Sequence, residues 1–330
     1  MAKIAEGSRY QLLLSCPSGL SLSQVSVDFS KSHDRIQHPD HDLEDSIAQA
    51  WEQRTQGNSS LFNGQKFRFG SICLDGDAGT NELPHVYLRL GLTDYRLLFI
   101  SLSFFFFLKL QDQPSLVSWT WFSRTFVGTN LSSQWEKFLV TSQDDCVRCR
   151  HTSSPLGNAA VIETSDHKII VLRRSDNVGE FPGHYVFPGG HPEPMSVGID
   201  SHQLEKDGDV LNKKVTREMF DSITREVVEE TGIPASSLST PLFIGISRRE
   251  LNVRPAMFFF IKCNHHSDDI PGLYSSAEDG FESTQLHTVS LEELKTMTSR
   301  MPGCHHGGFA LYELMLQRLK STNETPLTST

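Results

Sequence analysis

The segment Arg225-Glu226-Val227-Val228-Glu229-Glu230-Thr231-Gly232-Ile233 constrains this chain more than any other part of it. At roughly 100° per residue, Phe220, Ile223 and Val227 fall on one stripe. The spacing therefore predicts a helix over 216–231 that lays an apolar face on a sheet. Glu226, Glu229 and Glu230 stand at i, i+3 and i+4 and share another face. Carboxylates held that close repel one another unless a positive charge sits among them. A hard divalent cation bound through oxygen meets that need, and Mg²⁺ held by few protein carboxylates usually bridges substrate phosphates. Gly232 can end the helix in a left-handed cap, and Pro234 prevents its resumption.

Upstream, Val186-Phe187-Pro188-Gly189-Gly190-His191-Pro192-Glu193-Pro194 reads as a strand that exits into two glycines. Glycines there let the backbone come close to a metal or a phosphate. Residues 159–162 and 168–172 are β-rich and joined by a turn-like Thr164-Ser165-Asp166. Further strands are predicted at 242–246 and 257–263, and closing helices at 291–297 and 309–319. Strands on both sides of a central helix, with helices at the end, predict an α/β/α layered domain over 151–330.

Residues 1–150 read as a separate, smaller α+β domain that contributes to substrate binding. Its predicted elements are a strand at 25–29, an amphipathic helix at 42–56 with Leu43, Ile47 and Trp51 on one stripe, and short strands at 67–69 and 86–90. The polar stretch 143–154 reads as a linker. Within this half, 97–110 is LLFISLSFFFFLKL, too short and too broken by serines for the ~20 residues that span a bilayer. Four successive phenylalanines follow neither a helical nor a strand period, which favours reading 97–124 as an insertion over a buried strand pair or a membrane-surface patch.

The formal charge of −10, from 40 acidic against 30 basic side chains, leaves no basic stripe for nucleic acid. The six cysteines are scattered and read as reduced thiols of an intracellular protein, and Leu12-Leu13-Leu14 is too short for a secretion signal. Cys146-x-x-Cys149 has no second close pair to complete a zinc site and no helix pattern beginning there. Cys304-His305-His306 resembles a metal tract but is read as an exposed loop.

Residues 225–233 match the second half of the Nudix box in full, and the chain resembles the Nudix hydrolases. The box runs glycine, five residues, glutamate, seven residues, then Arg-Glu-U-x-Glu-Glu-x-Gly-U, with U aliphatic. From Gly190 the box's glutamate falls on Ser196, about twenty polar residues (197–216) intervene, and Glu218 is one residue too close to Arg225. That break after PGGHPEP is similar to the UDP-glucose and UDP-galactose pyrophosphatase branch, which carries an added N-terminal domain. The likeness extends to Ser32-His33-Asp34-Arg35, to Lys66-Phe67-Arg68, to the run from Leu88 through Tyr95-Arg96, and to Gly128-Thr129-Asn130.

The resemblance implies a Nudix α/β/α sandwich with a mixed sheet. It also implies Mg²⁺-dependent (or Mn²⁺-dependent) cleavage of UDP-sugars to UMP and sugar 1-phosphate, in the cytoplasm or nucleus. Glu226 and Glu230 would hold the metal, with Glu229 as a further ligand or water-orienting base. Arg225 would pair with a carboxylate of the helix. Strand alternation sends only one of Arg173 and Arg174 inward, and the resemblance favours Arg174 as the phosphate clamp. His191 and Glu193 would meet the diphosphate or a sugar hydroxyl, and Gly179 would offer backbone to the base or sugar. Phe62 and Tyr95 are candidates for stacking on uracil, and Glu250 for an additional acid. Nothing in the residues themselves selects uracil, so ADP-ribose or coenzyme A remains an alternative substrate, and a Nudix-fold binding module an alternative class.

Overall fold

A computed structural model describes residues 6–57, 64–75, 84–94, 135–176, 181–202, 208–277 and 283–323. Phe62, Tyr95, Gly179 and the segment 97–124 lie outside the described residues. Along the chain come β1 (Tyr10–Leu20), β2 (Val25–Phe29), α1 (His41–Gly57), β3 (Gln65–Asp75), β4 (His85–Asp94), α2 (Asp145–Arg148), β5 (Gly157–Glu163), β6 (Ile169–Arg174) and β7 (Tyr185–Val186). There follow α3 (Gly208–Thr231), β8 (Leu242–Arg249), β9 (Pro255–Lys262), α4 (Ile270–Tyr274), β10 (Ser283–Val289), α5 (Leu291–Met297) and α6 (Gly303–Asn323).

The larger sheet runs β1-β8-β9-β5-β6-β10, with β7 paired to β6. It is mixed, because β5 and β9 run parallel while the other pairs are antiparallel. Its central strands, GNAAVIE and PAMFFFIK, are almost unbroken apolar runs because both faces of the sheet are covered. Period-two alternation divides their side chains. Ala160, Ile162, Phe259 and Ile261 join a core with Val215, Met219, Phe220, Ile223 and Val227 of α3. Ala159, Val161, Phe258 and Phe260 join the opposite core, with Leu294 of α5 and Phe309, Leu311, Tyr312 and Met315 of α6. The predicted α/β/α layering is therefore present, and the apolar stripe of α3 lies where the spacing places it.

The smaller sheet has the order β2-β4-β3. Its apolar side chains, Val27, Phe29, Phe67, Phe69, Val86, Leu88 and Leu90, belong to the same core as α3. In α1, Leu43 and Ile47 pack on Phe138. β1, which contains Leu12-Leu13-Leu14, leaves this small sheet and pairs with β8 of the larger one. Residues before 150 thus serve both sheets.

Four readings need correction. The central helix begins at Gly208, not 216, so part of the polar insertion is helix. The added turns dock the small sheet: Thr216 Oγ1 accepts the Val27 amide at 3.0 Å and Asn212 Oδ1 accepts the Phe29 amide at 2.9 Å. Open edge strands carry unpaired amides, and here side chains satisfy them. The stretch 143–154 is packed rather than a free linker. It contains α2, which starts next to Cys146, and it buries Cys149, His151, Ser153 and Ser154. Buried Arg248 anchors it through an ion pair with Asp145. Finally, Cys304, His305 and His306 form the first turn of α6 rather than an exposed loop. Strand β10 carries no alternation strong enough to have announced it.

Candidate active site

The Pro188-Gly189-Gly190-His191 loop is clamped between a strand and a helix. Ala160 N–H donates to Pro188 O at 2.8 Å, and Asn158 N–H donates to Gly190 O at 3.0 Å. The Asn158 side chain ties three elements together. Its Oδ1 accepts the Gly190 amide at 3.0 Å and its Nδ2 donates to buried Ser222 Oγ of α3 at 2.8 Å. Every polar atom of this buried amide group is used, which fixes the loop against the helix.

Two of the three predicted carboxylates face this loop. Glu230 Oε2 accepts the Gly189 amide at 2.8 Å. Glu226 accepts the backbone amide of His191. A Cβ at position 189 would run into the Asn158 carbonyl and Ala159 backbone, at a φ of 156 that disfavours other residues, and one at 190 would press on the Glu226 carboxylate. Burial, and next the charge of Glu229, push the Glu226 carboxyl up to about 7, against the His191 amide, Lys66 and Arg225. Its ionised form is thus costly without a nearby cation. Glu229 also lines an open groove with Asp221, Arg225 and Ser276, while staying near enough for its charge to act on Glu226. Among the described residues, no three His, Cys, Asp or Glu side chains are gathered into a ready ion cage. The oxygen donors Glu226 and Glu230 suit a hard divalent cation whose remaining ligands come from substrate and water.

Arg225 pairs with a helix carboxylate as expected, and that carboxylate is Glu218. The Arg225 guanidinium lies 2.7 Å from buried Glu218, whose Oε1 also accepts the Glu193 amide at 3.1 Å. Glu218 is one residue out of the box's register, but residues seven apart return to nearly the same helix face, which is how it reaches Arg225 and the loop. Lys66 of β3 was also missed: its buried Nζ reaches Glu193 Oε1 at 2.6 Å, tying the small sheet to the loop. A lysine in a strand gives no sequence signal for such a reach.

The loop also borders a pocket of about 150 Å³, lined in addition by Arg174, Arg249, Arg254 and His305. Arg174 is therefore the inward member of its pair. Arg173 instead lies beside His287, whose pKa falls through burial and then through that charge. His191 Nε2 stands 3.1 Å from Arg254. Arg249 is braced by Asn252 Oδ1 at 2.6 Å and lies over the Phe181 ring. Glu250, read as an additional acid, lines a separate pocket with Arg9, Gln11 and Arg248. The Cys146 and Cys149 positions hold no ion cage, and Cys149 instead contacts Arg248. The site thus gathers carboxylates and arginines around one glycine loop, an arrangement that can hold a diphosphate together with a cation.

No protein-family model matches the chain. Nudix hydrolase 9 of Arabidopsis thaliana is 76% identical over 339 residues, covering 100% of both chains. Uridine diphosphate glucose pyrophosphatase NUDT22 is 32% identical in both Mus musculus and Homo sapiens, covering 87% of this chain and 83% and 84% of theirs. Among solved structures, a MutT protein from Methanosarcina mazei Go1 aligns with a TM-score of 0.32 and 21% identity, covering 52% of this chain and 95% of that one. With full-length identity of that order to a Nudix hydrolase, and with its acidic helix packed on a glycine loop, the chain belongs to the Nudix hydrolases.

Proposed function

We propose that this hydrolase cleaves the diphosphate of UDP-sugars, UDP-glucose and UDP-galactose, to UMP and sugar 1-phosphate, with Mg²⁺ or Mn²⁺ as cofactor. The observation that carries the reading is that Glu226 and Glu230 take amides of the Gly189-Gly190-His191 loop while the same loop lines a pocket with Arg174, Arg249 and Arg254. The 32% identical relatives named as UDP-glucose pyrophosphatases support uracil and a hexose. Glu226 and Glu230 would hold the cation, with Glu229 contributing from the groove side or orienting water. When bound, the cation would withdraw charge from the diphosphate and activate water as a Lewis acid.

The chain's own residues do the rest. Arg174 offers a planar donor pair to a phosphoryl group. His191 and Glu193 fix the loop end of the substrate, with Glu193 held in place by Lys66. Glu218 holds Arg225, which steadies the acidic turn. Phe62 and Tyr95 are assigned to uracil and Gly179 to the sugar or base. The expected partner is a small nucleotide sugar in the cytoplasm or nucleus, not nucleic acid. No helix among the described residues is long and apolar enough to cross a membrane.

Incubation of the purified chain with UDP-glucose and Mg²⁺ should release UMP, read by anion-exchange chromatography. Absence of UMP across the accessible pH range, with ADP-ribose or coenzyme A cleaved instead, would move the substrate to another nucleotide. The glutamate missing from the box's register, where Ser196 stands, motivates one second reading, a module that binds without turnover. Tight UDP-glucose binding with no cleavage of any nucleotide would establish it.

A further inference from the structure

The turn Gly303-Cys304-His305-His306-Gly307-Gly308 plays no part in the assignments above, yet it reaches the pocket. Its glycines set how closely α6 approaches. A Cβ at Gly307 would collide with Ser247 of β8, and one at Gly308 with the Phe258 ring of β9. Without them the helix lies flush on the sheet, and its first turn stands against the strand that feeds the glycine loop.

The two histidines of this turn have different surroundings. His306 turns away: its Nδ1 bonds Ser8 O at 3.0 Å and its ring meets Tyr10 edge-on. His305 is half-buried and lines the arginine pocket. The Phe187 amide donates to its Nδ1 at 3.2 Å. An amide N–H can only donate, so Nδ1 carries no proton and the neutral ring bears its hydrogen on Nε2. The rings of Phe187 and Phe258, at 6.1 and 5.8 Å between centroids, hold the imidazole plane. Burial, and next the charges of Arg174 and Arg249, lower its pKa to about 3, which agrees with the geometry. Among the described residues, Nε2 has no hydrogen-bonding partner.

The geometry points to His305 as a substrate-binding residue whose Nε2–H donates to a phosphoryl oxygen of the diphosphate, beside Arg174 and Arg249. A neutral donor suits that position. It adds directionality to a pocket already rich in guanidinium charge, with no further cation to repel its neighbours. The phosphate is favoured over a sugar hydroxyl because the pocket's other donors are the arginines and His191. This inference rests on the hydrolase reading for its diphosphate, though not on uracil or on the hexose.

The test uses the full chain with Mg²⁺ and calorimetric titration of three probes: inorganic pyrophosphate, UDP, and the methylene-bridged analogue of UDP-glucose. His305→Asn keeps a side-chain oxygen near the Nδ1 position to accept the Phe187 amide but falls short of Nε2. It should weaken all three probes by about tenfold with an unchanged melting temperature. His305→Gln reaches toward the Nε2 position but loses the anchor. It should melt lower yet bind better than His305→Asn. A purely structural histidine would give the reverse order, and that result overturns the inference. So does unchanged pyrophosphate affinity in His305→Asn, a loss confined to the UDP-glucose analogue, or a wild-type chain that binds none of the probes. Wild-type binding of pyrophosphate but not of the uridine probes would instead overturn the UDP-sugar reading and leave His305 with its role.

Discussion

The two ends of α3 both accept backbone amides through side-chain oxygens, and they serve opposite purposes. At the C-terminal end, Glu226 and Glu230 take backbone amides from the glycine loop, and Glu226 is costly to keep charged. At the N-terminal end, Asn212 and Thr216 take backbone amides from β2 and satisfy a strand edge. One end is set up for chemistry and the other for docking. Between them, Glu218 and Arg225 form the joint, because Glu218 also holds the Glu193 amide of the loop. The polar insertion that interrupts the motif is thus where the longer helix meets the smaller sheet.

The strongest way to break this contrast is at the chemical end. Glu230→Gln keeps an oxygen for the Gly189 amide but removes a charge, so the fold should persist while kcat falls at least about 100-fold. UMP release and a thermal melt on the same sample check both halves, and an active variant would remove Glu230 from the site. At the joint, Glu218→Gln should cost about 10- to 100-fold in rate, as loss of a partner that orients a ligand-bearing turn usually does. Steady-state kinetics should show the loss in kcat more than in KM, and wild-type kinetics would leave the Arg225 pair without a catalytic consequence.

At the docking end the effect should be on stability alone. Thr216→Val leaves the Val27 amide buried without an acceptor, which costs roughly 1–3 kcal/mol. Urea denaturation reads this directly. A fall in kcat at low temperature as large as that of Glu218→Gln would erase the distinction between the two ends.

The last effect, which appears only as pH falls, separates α3 from the support that comes from α6. The His305 pKa in the fold is about 3, below its ordinary 6.5. The unfolded chain therefore gains a proton as pH falls below 6.5 while the folded chain does not. Its contribution to stability is complete above 6.5 and declines as pH drops toward 3, with a slope of at most about one proton. His305→Asn should flatten that part of the stability profile, and an unchanged slope would place the titration on another group.

Much of the site was legible because it is local. Helical spacing alone put Glu226, Glu229 and Glu230 near one another, and strand alternation left one of Arg173 and Arg174 facing inward. The charge of Glu229 acts on Glu226, as that spacing requires. Positions i+3 and i+4 nevertheless lie on opposite sides of i, and spacing alone does not say that Glu226 and Glu230 are the two that take the loop amides. Glu218 was rejected on register, although a seven-residue separation brings it back to Arg225. Phe62, Tyr95 and Gly179 lie outside the described residues, so their roles stay with the resemblance.

By itself the sequence determined the acidic helix, its glycine stop with φ 71 at Gly232, the strands that bury both faces, and membership of the Nudix hydrolases through its motif. All of these depend on periodicity or on residues adjacent in the chain. Only the tertiary structure decided that β1 closes the larger sheet, that Lys66 reaches Glu193 and that His305 stands beside Phe187. Those contacts join residues more than a hundred positions apart. They form because two sheets and two helix layers must bury their faces together, and no local pattern records which distant side chain that packing brings to the pocket.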